Sequence, residues 1–156
     1  MKQTLKKIVG VIYPIPLQYV DRIFEKQKNV FVKYTSRQTT ALTPKHKILF
    51  YASHGKKEIV GEAKIKELHF LTPTETWEKY GANLFLNEEE LTQYCQTQVL
   101  RNSSKKMQVI VLSKPRKYPE GIKYKRPISM SGQYINEEDY QEIIQDIEKR
   151  SARTPR

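Results

Sequence analysis

The chain has 156 residues, with 28 Lys+Arg against 17 Asp+Glu and a formal charge of +11. That length holds one domain with a real core and little room for a second. The single cysteine, Cys95, excludes an internal disulfide or a multi-cysteine zinc site, and no apolar run approaches the roughly 18–20 residues of a membrane helix.

The charge is partitioned. Residues 1–60 carry a balance of +9, residues 61–100 one of −4, residues 101–127 one of +8 and residues 128–156 one of −2. Two basic blocks therefore alternate with two near-neutral or acidic ones, and an anion-binding surface requires the basic blocks to meet in space.

At the start, a basic stretch leads into Ile8-Val9-Gly10-Val11-Ile12-Tyr13, a β-branched run ended by Pro14. It reads as a first strand and not as a signal peptide, which fits a soluble, cytoplasmic chain. Pro16 can open a helix, in which Leu17, Val20, Ile23 and Phe24 recur at helical spacing. Val30 to Tyr34 reads as a second strand, and the polar stretch 35–44 as a loop long enough to be functional. Lys47-Ile48-Leu49-Phe50-Tyr51-Ala52 is nearly continuous apolar, as expected of a strand covered on both faces. After a turn at 53–57, a long strand runs from 58 to 70, with Ala63 and Ile65 alternating with Glu62, Lys64 and Lys66.

Thr72-Pro73-Thr74-Glu75 predicts a capped helix with Gly81 as its stop. Asn87-Glu88-Glu89-Glu90 repeats the signal, with Leu91, Tyr94 and Cys95 facing inward. The acids there serve the helix dipole, so this acidic block is architectural. Residues 107–112 form another strand, followed by an extended segment with a turn around Pro119-Glu120-Gly121. Asn136 caps a final helix with acids in its first turn and Tyr140, Ile143, Ile144 and Ile147 on one face. Residues 151–156 read as a disordered tail, leaving one domain over 1–150. Strands and helices do not alternate, so the class is α+β with a curved or closed sheet.

Several of these segments carry a resemblance. Val30-Phe31-Val32-Lys33, Lys47-Ile48-Leu49-Phe50-Tyr51-Ala52-Ser53, Ile59-Val60-Gly61-Glu62-Ala63, Glu75-Thr76-Trp77 with Tyr80, Glu89-Glu90-Leu91 with Tyr94, and Lys114-Pro115-Arg116-Lys117-Tyr118 leading to Pro127-Ile128 follow one another in an order that resembles the PUA-like superfamily and its ASCH branch. The whole chain is most similar to the uncharacterised archaeal domain-of-unknown-function family numbered three-sixty-five. The resemblance implies a small, mostly antiparallel β-barrel with flanking helices, of a kind that commonly binds RNA or a modified nucleobase in a cleft. Fold alone does not fix function, so the site is argued from residues.

The strongest physical feature is the stretch 114–126, where Lys114, Arg116, Lys117, Lys123, Lys125 and Arg126 interleave with Tyr118 and Tyr124 around a single acid, Glu120. Lysine and arginine neutralise phosphates, and tyrosine rings offer stacking faces to unpaired bases. A second basic set comprises Lys33, Arg37, Lys45, Lys47, Lys56 and Lys57; if Lys33 ends its strand beside Lys114–Tyr118, the two form one groove. Glu62 would either accept hydrogen bonds from a base edge or form a cross-strand ion pair with a lysine. Trp77 is expected to pack its helix onto the sheet. His46, His54 and His69 match no metal spacing, and no cofactor motif is present.

These features predict a binder of nucleic acid, most simply RNA, with no membrane partner. The alternative, which the resemblance implies, is an ASCH-type amidohydrolase acting on an acylated nucleoside, with Lys33 followed by Thr35 and with Glu62 or Glu90 as its acid. Here the glycine-basic lead before the lysine is missing, since Phe31-Val32 precede Lys33. A third reading, a protein-interaction module, requires the last helix to expose its isoleucines.

Overall fold

The run after Lys7 forms strand β1 (Ile8–Ile15), which continues through Pro14 where the sequence predicts a stop. The computed structural model describes residues 7–34, 41–53, 56–96 and 106–153, and within it one neighbour of β1 pairs only as far as Ile12. Beyond that point one side of β1 is an edge, where a proline costs no ladder bond. Pro16 then sits just ahead of helix α1 (Leu17–Glu25), which buries Val20 and Ile23. Strands β2 (Val30–Lys33), β3 (Lys47–Ala52) and β4 (Glu58–Leu71) follow close to their predicted bounds.

The helix signals are realised as bonds. Before α2 (Pro73–Tyr80), the Glu75 backbone N–H donates to Thr72 Oγ1 at 3.2 Å and the Thr72 N–H to Glu75 Oε1 at 2.9 Å. Gly81 ends this helix, yet it stays right-handed at φ −48°, and the chain tightens into a 3₁₀ turn over Gly81–Asn83. Asn87 and Glu90 exchange the same pair of bonds ahead of α3 (Glu88–Gln96). Asn136 and Asp139 do so ahead of α4 (Glu137–Arg153), which runs three residues into the stretch expected to be a tail.

Two differences concern strands. The segment 107–122 is a single strand, β5 (Met107–Ile122), whose Pro119-Glu120-Gly121 turn survives as an excursion facing β4. Ahead of α4 lies β6 (Gln133–Asn136), four residues too short to show a period in the sequence.

The strands form one six-stranded sheet in the order β2-β5-β4-β3-β1-β6. Every ladder is antiparallel except β1–β3. The implied closed barrel is not what the pairing gives: β2 and β6 are the two ends of the sheet and do not pair with each other. The sheet is instead open. Its β4–β5 ladder is irregular, with register shifts at Ile59/Gly61, at Glu62/Lys64 and at Ile65/Glu67. Each shift is a bulge that twists the pair locally.

Alternation along β1 and β3 divides the core between the two faces. Val11, Tyr13, Ile48 and Phe50 join one cluster with α1, α3 and the inner residues of β5. Ile12 and Leu49 join the other with Tyr118, Ile122, Ile135 and the Tyr140, Ile143 and Ile147 face of α4. The last helix thus spends its isoleucines on the sheet, against the interaction-module reading. Trp77 packs against the first cluster, as expected. Gly61 is required where it stands, because a Cβ there would meet the Phe24 ring and the Arg116 carbonyl oxygen.

Candidate nucleic-acid interface

Strand β5 changes character at Ser113. Its first six residues are buried, whereas Lys114, Pro115, Arg116 and Lys117 are exposed. The change coincides with a bulge: Lys64 faces Ser113 and Glu62 faces Arg116, so Ala63 alone stands opposite Lys114 and Pro115. Lys114 takes up the extra length at φ 49°, a left-handed conformation uncommon for a residue with a side chain. The proline lies at the irregularity, where a missing N–H is tolerated.

Register decides which cations come together. Lys47 pairs with Lys64, which pairs with Ser113, so β3, β4 and β5 contribute a row of basic positions ending beside Lys114. Lys45 is exposed just ahead of this row, and Lys66 is exposed two residues along β4. At the far end of β4, Ile59 pairs with Ile122, bringing the exposed Lys56 and Lys57 of the β3–β4 turn to the same end of the sheet as Lys123. Lys64 and Lys66 were not among the predicted contacts. The alternation of β4 marks them as exposed, but nothing local says which strand lies next to it.

Lys33 is not beside this surface. Its register partner is Gln108, six positions from Lys114 along β5, or about 20 Å of extended strand. Its ammonium lies 5.3 Å from the centre of the Tyr13 ring. The single groove running from Lys33 to Lys114 is therefore corrected: the first basic block splits, with Lys45, Lys56 and Lys57 toward β5's outer half and Lys33 at its inner end. Arg37 and Thr35 lie outside the described residues, as does His54.

Glu62 is buried, and both its oxygens are taken. Tyr118 donates to Oε1 at 2.8 Å, Tyr140 lies 3.0 Å from each oxygen, and Lys47 Nζ reaches Oε2 at 3.3 Å. Lys47 also donates to the Tyr140 hydroxyl at 2.7 Å. Burial raises the pKa of both phenols, and the neighbouring carboxylate raises them further, so each remains a donor. For Lys47, burial pulls downward, but the Tyr140 hydroxyl and the Glu62 charge outweigh it and the pKa rises. The ion-pair alternative is the one realised, and it explains how Lys47 and Lys64 tolerate facing each other: Lys47 is neutralised.

Tyr118, expected to stack on a base, is 4% exposed within the second cluster and has no free face. The Tyr124 ring packs against the same cluster; Arg126 donates to its hydroxyl at 2.9 Å and lies over the ring at 5.6 Å. Lys125 and Arg126 are exposed but paired with acids of α4, and the pKa of Lys125 is raised by its hydrogen bonds to Glu142 and Asp139.

Among the described residues of the hydrolase alternative, Lys33 is not brought to either candidate acid. Lys33 lies against Tyr13 of the first cluster and Glu62 against Tyr118 of the second, on opposite faces of the sheet. Glu90 is held by Arg22, whose Nη2 donates to Oε2 at 2.9 Å, and by the Asn87 N–H at 2.9 Å. Among the described residues, no three His, Cys, Asp or Glu side chains gather as a metal site, and no helix is long and apolar enough to cross a membrane.

Known proteins agree with this fold. Residues 8–137 match the model of a domain of unknown function (DUF365), and the chain belongs to that family. It is 38% identical over 107 residues to the uncharacterized protein MJECS03 of the archaeon Methanocaldococcus jannaschii, covering 65% of this chain and 99% of that one. In three dimensions it is similar to ASCH from Zymomonas mobilis, with a TM-score of 0.71 and 16% identity over 88% of this chain and 94% of that one. A mutant of the same protein gives 0.74 and 15% identity over 90% and 98%. The N-terminal domain of Staphylothermus marinus McrB gives 0.58 and 16% over 93% and 98%. These likenesses show that the chain shares its fold with the ASCH protein.

Proposed function

We propose that this DUF365 protein binds nucleic acid, RNA in particular, through the outer half of β5 and the lysines that border it on β4 and the β3–β4 turn. One observation carries the reading. Lys114, Arg116, Lys117 and Lys123 are exposed on one short segment whose single acid, Glu120, is itself engaged by Arg150 at 3.3 Å. Lys117 also meets Glu25 at 3.9 Å, with both side chains more than half exposed, too loose a pair to cancel a charge. A row of uncompensated cations on a rigid strand neutralises phosphates and releases their counterions. PUA-like folds commonly bind RNA, which fits this placement, and a cytoplasmic location gives such a surface its ligand.

Tyr118 is enclosed and the Tyr124 ring is partly covered, so the contact is chiefly to the phosphate backbone and little to unpaired bases. Recognition of this kind follows shape more than sequence. A salt titration of binding to single-stranded RNA, duplex RNA and DNA tests the reading. Affinity falls steeply and linearly on a log–log plot if it holds. Absence of salt-sensitive binding to all three overturns it.

A further inference from the structure

Lys125 and Arg126 extend the basic segment beyond β5, and both are engaged by the first turns of α4. Lys125 Nζ lies 3.0 Å from Asp139 Oδ1 and 2.8 Å from Glu142 Oε2, and Arg126 Nη2 lies 3.6 Å from Asp139 Oδ1. Two carboxylates three residues apart on one helix thus span a lysine and an arginine, as two neighbouring phosphates of a backbone would. We infer that Lys125 and Arg126 form a phosphate subsite which the chain fills with its own Asp139 and Glu142, so that a phosphodiester strand must displace Glu142 to engage it. The inference rests on the nucleic-acid reading above and adds a regulation to it.

The two acids differ in what holds them. Asp139 is 7% exposed and closes the capping box of α4, accepting the Asn136 N–H at 3.1 Å. It is a fixed part of the helix start. Glu142 has a side chain 52% exposed and reaches across to Lys125. It is the arm that can leave. Lys125 and Arg126 have side chains 46% and 49% exposed, so a ligand can approach them. Exposed ion pairs are weak, whereas each phosphate neutralised also releases counterions; a nucleic acid therefore displaces Glu142 at a modest loss of affinity. The arm attenuates binding without abolishing it.

Glu142→Gln removes the displaceable charge and keeps the shape. Binding of an oligouridylate and of an RNA duplex across a potassium chloride series is compared for the native chain, Glu142→Gln, and Glu148→Gln, which removes an exposed acid farther along α4. Glu142→Gln is expected to bind up to about fivefold tighter at low salt, with a log–log slope steeper by about 0.7–0.9. Adding Lys125→Ala is expected to remove both gains, and Glu148→Gln to show neither. Salt-sensitive binding by the native chain that Glu142→Gln leaves unchanged overturns the displaced arm while the nucleic-acid reading stands. An equal gain from Glu148→Gln also overturns it, because the effect is then general charge. Absence of binding by every variant removes both.

Discussion

The two halves of β5 share one strand and have opposite chemistries. Residues 107–112 are buried, with Met107, Val109 and Ile110 at 0% exposure between β2 and β4. Residues 114–117 are exposed and carry three cations. The boundary is the bulge at Lys114–Pro115, close to where β2 ends its pairing at Val111. A strand with partners on both sides contributes to folding; once one partner stops, the same backbone becomes a rigid platform at a free edge. Stability and binding are thereby separated along one element, and the separation can be broken by mutation.

The largest expected effect lies in the inner half. Ile110→Ala leaves a cavity in a fully buried row and is expected to cost ~2–5 kcal/mol in chemical denaturation, whereas Lys117→Ala is expected to stay within ~0.5 kcal/mol. Comparable losses at the two positions would break the comparison. Next comes Glu62, whose network ties β4 to β3, β5 and α4. Glu62→Ala takes the acceptor from two buried phenols and the countercharge from Lys47, which keeps its bond to the Tyr140 hydroxyl, and is expected to cost ~3 kcal/mol. Its stability loss is expected without a change in salt slope. A changed slope with unchanged stability would return Glu62 to the interface.

Much of the architecture was legible because its causes are local. The Thr72, Asn87 and Asn136 caps, the apolar run of β3 and the isoleucine face of α4 are all stated within a few residues. What escaped depends on partners distant in sequence. Pro14 lies within a strand because β6 stops short beside it, and β6 itself is fixed by pairing with β1. Tyr118 looked like a surface ring between Lys117 and Pro119, yet the bulges in β4–β5 turn it toward Glu62, 56 positions away. Of the candidate site, the basic composition of 114–117 and 123 was readable. The neutralisation of 125–126 was not, because the acids responsible look like ordinary helix-dipole residues.

The outer half predicts a binding effect with little stability change. Replacing Lys114, Arg116 and Lys117 together by alanine removes three cations and is expected to lower the magnitude of the log–log salt slope for single-stranded RNA by ~2. The melting temperature is expected to move by only a few degrees. An unchanged slope would mean that the phosphates lie elsewhere on the molecule.

The smallest expected effect sharpens the comparison most. Lys33 carries the same charge as Lys114 but pairs with Gln108 in the inner half and lies over the Tyr13 ring. If the interface is the outer half alone, Lys33→Ala should leave the salt slope unchanged. Affinity should then shift by less than about twofold, a fraction of the contribution of one phosphate contact. The register places about 20 Å of strand between the two lysines, beyond two Debye lengths at physiological salt, so long-range attraction cannot stand in for contact. Equal slope losses at Lys33 and Lys114 would require a ligand long enough to follow β5 from one end to the other. The inner half would then bind as well as fold.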